Sequence, residues 1–470
     1  MLIGRVEEVA TLRACFESPN SHFVAVYGRR RVGKTHLVKT LFQDDFAFYC
    51  TGLAKEGTRR QLANFADSLA DSGESRSAPP QDWFEAFRRL RDLPRGRSSA
   101  DKAVVFLDEL PWMDTHKSDL TSALEWFWNA WASTNDVLLI VCGSATSWLI
   151  RKVFADHGGL HNRVTRRVHL EPFTLAECEA FLEAKGVVMA RKEIVEAYMV
   201  FGGIPFYFDQ FDGRFSLAQN IGRLCFSRMG PLRHEYEELY ASLFKQPDNH
   251  MKVVEALSRR GQGLRRDDIA AQTGLASGGG LSKVLKELED SGFVRSYQPF
   301  GRKRQGALYQ LIDSFTLFHF TFIENGSVDP DYWVKYASTG SHSAWSGYAF
   351  EKVVHWHERQ VLARLGVLGV ITRVQAWRSE QVKPGAQIDL VIDRADNVIN
   401  LCEVKFATDE FAVAKALEQD LRRKRTAFVA ETGTKKAIHW TMITTYGLAR
   451  NAYRSAVQSE VTADDLFRET

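Results

Sequence analysis

The sequence predicts an α/β protein of three successive modules. These are an open parallel sheet flanked by helices, a three-helix segment closed by a β-ribbon, and a second, smaller α/β core. Three observations predict it. Gly28 to Thr35 reads GRRRVGKT between a strand-like and a helix-like run. From His250, three helical runs are followed by two short strand runs. Near the C-terminus, two strand runs carry Asp389 and then Glu403-x-Lys405. The 470 residues correspond to about three domains at roughly 150 residues each.

The octapeptide has the spacing G-x-x-x-x-G-K-[ST] of a phosphate-binding loop. Residues 22–27 ahead of it alternate and are β-rich, and Leu37, Leu41 and Phe42 after it fall at helical spacing. Gly28 and Gly33 permit a tight turn. Backbone N–H groups along Gly28, Arg29, Arg30, Arg31, Val32, Gly33, Lys34, Thr35 and His36 can then gather round an anion at a helix N-terminus. In such a loop Lys34 reaches the β- and γ-phosphates of a nucleotide and Thr35 ligates Mg²⁺. ATP and Mg²⁺ are the expected ligands.

Residues 103–107 form a second buried-strand run, ending in Asp108-Glu109. Asp108 is placed to hold Mg²⁺ through water, and Glu109 to polarise the attacking water. A strand candidate at 47–51 lies between the two motifs, and an inserted strand marks the P-loop branch with a catalytic glutamate. The next strand, 137–142, ends at Gly143-Ser144. Ser144 either faces the γ-phosphate as a sensor or caps the helix beginning near Ala145. Arg163, in HNRVTRRVHL before a last strand around 168–170, is a candidate arginine finger. Such a finger raises the rate by about 10³–10⁵. Arg166 and Arg167 compete for that role, and all three also suit a solvated surface.

Ile3-Gly4-Arg5-x-x-Glu8, the GRRRVGKT loop, FLDELPWM (106–113), the VCGSA strand end and Gly202-Gly203-Ile204-Pro205 together resemble the archaeal-type ATPases of the AAA+/STAND assemblage. The resemblance covers roughly residues 1–212. It implies a P-loop ATPase core over 1–175 with Gly4 and Arg5 near the adenine. It also implies a helical lid over 176–245, with residues 202–205 beside the nucleotide. From the residues alone, Gly-Gly-Ile-Pro is a helix stop and a tight turn.

From 246 to 315 the order is three helices (251–260, 266–273, 279–291) and two strands (293–299, 307–312). This is the winged helix-turn-helix order. Leu281, Val284, Leu285 and Leu288 make the buried face of the third helix. The ribbon tip carries Arg302-Lys303-Arg304, and residues 250–312 hold eleven Lys/Arg against six Asp/Glu. The third helix mixes Lys283 and Lys286 with Glu287, Glu289 and Asp290. It therefore suits contact with a DNA backbone rather than reading of base edges. A protein–protein spacer remains the alternative. Residues 316–340 read as a linker.

In the last module, 341–470, residues 387–392 and 401–405 form two strands across a turn. Asp389 with Glu403-x-Lys405 resembles the PD-(D/E)XK nuclease superfamily, and Glu351, early in a helix, matches its accessory acid. Alternation puts Glu403 and Lys405 on one strand face. Asp389 and Glu403 can share Mg²⁺, while Lys405 can lower the pKa of an attacking water and offset charge at phosphorus. A helix at 410–426 and a strand at 437–442 complete the order. Ile388 stands where the pattern often has Pro. A nuclease and a DNA-binding relic both fit. Arg422-Arg423-Lys424-Arg425 can track phosphates or face solvent.

The whole order is a P-loop ATPase parallel sheet with helical lid, then a winged helix-turn-helix, then a restriction-endonuclease-like α/β domain. It resembles a large group of uncharacterised prokaryotic ATPases. The leading expectation is a cytoplasmic, Mg²⁺-dependent ATPase that binds DNA and couples nucleotide state to the nuclease-like domain. One rival is a STAND-type ATP-binding switch with a non-catalytic C-terminal domain. Another is a transcription regulator. Net charge is +3, so any nucleic-acid surface is a local patch. Six scattered Cys exclude a C-x-x-C zinc site and fit a reducing compartment. No apolar run approaches the roughly 18 residues of a spanning helix, no signal peptide is expected, and no membrane contact is. Homo-oligomerisation stays open, since a finger acting in trans needs a neighbour.

Overall fold

A computed structural model describes residues 2–93, 102–144, 146–154, 160, 162–300, 307–336, 339–379 and 385–470. The ribbon tip, Ala145 and His161 lie outside the described residues. The chain falls into two compact units. One comprises Met1–Pro172, Leu239–Pro247 and Lys286–Gly292; the other comprises Phe173–Glu238, Asp248–Leu285 and Phe293–Thr470.

The first unit holds β1 (His22–Gly28), β2 (Phe46–Thr51), β3 (Ala103–Asp108), β4 (Val137–Gly143) and β5 (Arg166–Leu170). They form one parallel sheet in the order β2-β3-β4-β1-β5. Helices cover such sheets on both faces, and β4 is buried at every position. β2 lies between the two motif strands in sequence but takes the sheet edge; β4 is the strand inserted between β1 and β3. The chain crosses from β1 to the far edge and fills inward, and β5 then adds on the other side of β1. Strand order thus reverses at β1, where crevices open at the carboxyl ends of strands.

Helices Thr58–Asp71, Trp83–Arg91 and Leu120–Ala130 present Phe65, Trp83, Phe87 and Phe127 to a core shared with Phe23 and Phe48. Burying each such side chain contributes about 1.5–3 kcal/mol. The sequence sets the helix start at Trp83. Asp82 accepts the Glu85 N–H (2.8 Å), and the Glu85 carboxylate accepts the Gln81 N–H (2.8 Å), satisfying two otherwise orphaned donors.

Most of the segment expected as a lid (176–245) falls in the second unit; only 239–245 falls in the first. Helix Leu175–Ala184 begins at Thr174, whose hydroxyl accepts the Glu177 N–H (3.2 Å). The Leu175 N–H donates to His357 Nε2 (2.9 Å), while His357 Nδ1 faces the Val353 carbonyl (2.7 Å). His357 thus serves as a neutral ring, and burial lowers its pKa to about 4; burial does the same to His319. Both rings bind fewer protons folded than unfolded between pH about 4 and 6.5. Each therefore contributes about 3 kcal/mol near neutrality that is lost as pH falls through that window. Thermal unfolding of the wild type should show this slope, and His357→Gln should flatten it.

The middle segment contains helices Pro247–Ser258, Arg266–Thr273 and Gly279–Asp290, the last turn of the third counted with the first unit. Strands β6 (Leu264–Arg265), β7 (Val294–Tyr297) and β8 (Leu308–Leu311) pair antiparallel in the order β6-β8-β7. β6 was not expected; two residues are too short to leave a period. Leu281, Val284, Leu285 and Leu288 are buried as expected. The described residues of the expected linker (316–340) are not a loose linker. Helical turns Ser314–Phe318, His319–Ile323 and Tyr332–Tyr336 bury Phe318, Phe322 and Trp333, which pack on Trp345 at ring separations of 5.8, 5.3 and 5.7 Å.

The C-terminal sheet comprises β9 (Thr372–Arg378), β10 (Gln387–Arg394), β11 (Val398–Lys405), β12 (Ala437–Thr444) and β13 (Ser459–Thr462), in the order β13-β12-β11-β10-β9. β9–β10–β11 are antiparallel; β11–β12–β13 are parallel. Helices Gly340–Trp356 and Lys415–Thr432 accompany the sheet. The second starts later than the expected residue 410, because Phe411 bridges to Leu448 in extended form.

Candidate functional sites

The phosphate loop follows β1 directly. Gly28 has φ 140°, and a Cβ there would meet the Leu170 carbonyl oxygen at 2.2 Å. Only glycine lets the loop leave the sheet at that point. Arg31 and Gly33 are left-handed (φ 70° and 93°), and helix Lys34–Phe42 starts immediately after them. Lys34 is 5% exposed. Its ammonium donates back to the carbonyls of Gly28 (2.9 Å) and Arg29 (2.8 Å). Burial pushes its pKa down, and the charges of Glu109 and Asp108 partly oppose that.

The two motifs meet where the Thr35 hydroxyl donates to Asp108 Oδ2 (2.8 Å). Asp108 Oδ1 accepts the Glu109 N–H (3.0 Å). Burial raises the pKa of Asp108, and the Thr35 hydroxyl pulls it back. Glu109 is left-handed (φ 47°), which turns it out of β3. Ser144 engages both of its oxygens: the hydroxyl donates at 2.6 Å and the backbone N–H at 3.1 Å. The Ser144 hydroxyl thus goes to Glu109 rather than to a helix end. Hard oxygen donors on Thr35 and Asp108 beside a buried ammonium fit a nucleotide phosphate with Mg²⁺, which one or two carboxylates and substrate oxygens commonly hold.

The other expected residues of this site are placed as follows. Arg5 is buried and left-handed (φ 61°), and donates to the Val32 carbonyl (3.3 Å); Gly4 precedes it. Val32 and Arg29 are buried, Arg30 is half-buried and His36 is exposed. Arg163 is half-buried, its Nε without an acceptor among the described residues. Arg167 lies over the Phe154 ring at 4.4 Å, and Arg166 is exposed. Residues 202–205 belong to the second unit.

The second cluster lies on the C-terminal sheet. Asp389 sits one residue beyond the Leu390–Cys402 pair, opposite Glu403. Its Oδ2 accepts the Val404 N–H (3.1 Å). Glu403 is 4% exposed. Lys405 donates to its Oε1 (2.9 Å) and Lys424 to its Oε2 (2.8 Å). Burial raises the pKa of Asp389, and the Glu403 charge adds to this. Burial likewise raises Glu351, helped by the Asp389 charge. Burial alone would lower Lys405, but the charges of Glu403, Asp389 and Glu351 more than offset it. The four expected residues are thus brought into one electrostatic cluster. Among the described residues no group of three or more His, Cys, Asp or Glu is spaced to hold a metal. Asp389 and Glu403 as a carboxylate pair still fit Mg²⁺.

Sequence reasoning missed Lys424 and Lys352. Lys424 belongs to the basic run weighed as phosphate-tracking or solvated. Within that run Arg422 pairs with Glu418 and Arg423 with Asp420, while Lys424 turns inward to Glu403. Lys352 follows Glu351 and is 1% exposed, and burial lowers its pKa. Its signal was a charged residue directly after the helix acid.

Comparison with known proteins bears on the first site. A protein of Methanocaldococcus jannaschii that is itself uncharacterized is 24% identical over 442 residues, spanning 90% of this chain and 92% of the relative. A Walker-type ATPase of Pyrococcus abyssi is similar in structure (TM-score 0.49, 18% identity, 68% of this chain and 96% of that one). So is the ORC2 protein of Aeropyrum pernix (TM-score 0.43, 14% identity, 72% and 96%). Residues 2–211 match the family described as an ATPase domain predominantly from Archaea. The phosphate loop, Asp108 and Glu109 all fall inside that match, and the first part of the chain is an ATPase domain of archaeal type.

Proposed function

We propose that the protein is a Mg²⁺-dependent ATPase that binds DNA and couples its nucleotide state to a nuclease-like C-terminal domain. The Thr35–Asp108 hydrogen bond (2.8 Å) carries the first half, because it joins the phosphate loop to the acidic strand 73 residues away. In this reading Lys34 leaves the Gly28 and Arg29 carbonyls for the β- and γ-phosphates. Thr35 and Asp108 hold Mg²⁺, and Gly4 and Arg5 border the nucleotide. Glu109 takes a proton from the attacking water, Ser144 orients Glu109, and Arg163 offsets charge on the phosphoryl group. At the second site Asp389 and Glu403 hold Mg²⁺, Lys405 lowers the pKa of the water, and Glu351 assists. In both sites the metal supplies charge neutralisation at phosphorus oxygens. The middle segment is read as a winged helix, and its Lys/Arg excess supports contact with a DNA backbone.

One observation favours a slower, switch-like ATPase. Both Glu109 oxygens are engaged by Ser144, so the base is freed only when that pair opens. ATP turnover in Mg²⁺ and in EDTA tests the metal assignment. Turnover should vanish in EDTA and return with Mg²⁺, and equal rates in both would remove the metal role of Thr35 and Asp108.

A further inference from the structure

Within the second unit, the ribbon segment and the C-terminal sheet border a cavity of about 970 Å³. Arg295, Lys352, Arg378, Glu351 and Asp389 are among its lining residues. Its walls are fixed to one another. The Phe300 N–H donates to the Ala376 carbonyl of β9 (2.9 Å), so the chain leaving β7 runs on against the sheet edge. Arg378 donates to Gln262 Oε1 (2.5 Å), and Gln262 also donates to Gln387 beside Asp389. The Tyr348 hydroxyl donates to the Gly261 carbonyl (2.9 Å). A Cβ at Gly261 would meet the Tyr348 ring at 2.8 Å, so this turn approaches the helix more closely than any other residue allows.

Lys352 stands out in this wall. It is 1% exposed, and its ammonium has no hydrogen-bond acceptor among the described residues. The face of Tyr348 lies 4.4 Å from it; burial lowers its pKa, and the charges of Glu351 and Asp389 offset only part of that. A buried cation without a hydrogen-bonded anion is costly, and an anion in the cavity would remove that cost. Arg295 and Arg378 line the same space. The volume lies within the roughly 300–1,000 Å³ of small-ligand pockets. A duplex, whose major groove alone is about 12 Å wide, does not fit. A cavity lined by Arg295, Lys352 and Arg378, with two of these cations over the rings of Tyr297 and Tyr348, suits a single strand whose phosphates pair with cations.

We propose that this cavity admits single-stranded nucleic acid and that Lys352 contacts the phosphodiester beside Asp389. The ligand class rests on the phosphodiester reading of the carboxylate cluster given above. The test is binding of a fluorescently labelled short oligonucleotide to the full-length protein in EDTA without ATP. Single-stranded DNA, single-stranded RNA and the matching duplex are compared, with Asp389→Ala alongside. The single strands should bind at least about tenfold more tightly than the duplex, and the DNA and RNA arms identify the source of the phosphate. Lys352→Met should weaken single-strand binding at least about tenfold and lower the salt slope by about one phosphate contact. Lys352→Arg should keep the slope. Asp389→Ala removes a negative charge from the same wall and should bind single strands more tightly than the wild type. If Lys352→Met fails to fold, Arg378→Gln should lose affinity instead. Equal binding by the wild type and the cation variants, or equal affinity for duplex and single strand, overturns the proposal and leaves the carboxylate reading standing. Absence of Mg²⁺-dependent cleavage, with Lys352-dependent binding intact, removes the carboxylate reading and leaves the single-strand site.

Discussion

Lys34→Ala is expected to leave the protein folded and to reduce ATP turnover by at least about 10²–10³, the range for removing one preorganised charge-stabilising donor. The structural reason is that Lys34 spans the loop, with hydrogen bonds to the Gly28 and Arg29 carbonyls and its charge opposite Asp108 and Glu109. Stability should fall by only about 1 kcal/mol, since the freed carbonyls lose modest net hydrogen bonding. Glu109→Gln should behave differently. The amide keeps the shape that Ser144 engages but cannot take a proton, so nucleotide affinity stays near wild type while turnover falls by about 10²–10⁴. Phosphate release and binding of a fluorescent nucleotide separate the two variants. Unchanged turnover in Lys34→Ala would place the hydrolytic site elsewhere.

The second large effect is expected from Asp389→Ala. Metal-assisted charge stabilisation is worth several kcal/mol, so its loss should lower DNA cleavage by about 10³ or more. Stability should move the other way. Asp389 is half-buried beside Glu403, and partial burial and that charge raise its pKa. Removing it relieves repulsion at the cost of one hydrogen bond to Val404. A melting temperature at or above wild type, together with lost cleavage, would mark the pair as kept for chemistry rather than stability. Asp389→Asn, which retains the shape, should also lose cleavage; full activity in it would deny the carboxylate a metal role.

What the sequence made legible was what is local. Gly28 to Thr35 and Asp108-Glu109 announce themselves because adjacent residues make one loop and one strand end. Alternation puts Glu403 and Lys405 on one face for the same reason. What it hid depends on strand order and on distant elements. Residues 47–51 look inserted between the motif strands, yet β4 is the strand that stands there, because order in a sheet is set by crossovers. Ser144 and Glu109 were both named, but their pairing needs β4 beside β3. Lys424 sat unseen in a basic run because three of its neighbours share its charge and only helix position turns it inward. Residues 316–340 read as a linker because each apolar run is short; their aromatic rings pack only once Trp345 arrives from the next helix.

Coupling between the two sites is read from the nucleotide dependence of cleavage. Mg²⁺-dependent cleavage of single-stranded and duplex DNA is measured without nucleotide, with ADP, with ATP, and with ATP in Glu109→Gln. Asp389→Ala defines the background. Cleavage above that background should change with the nucleotide, and ATP-bound Glu109→Gln should be held at the ATP-state rate. Identical rates under every nucleotide condition, with ATP turnover intact, would contradict the coupling.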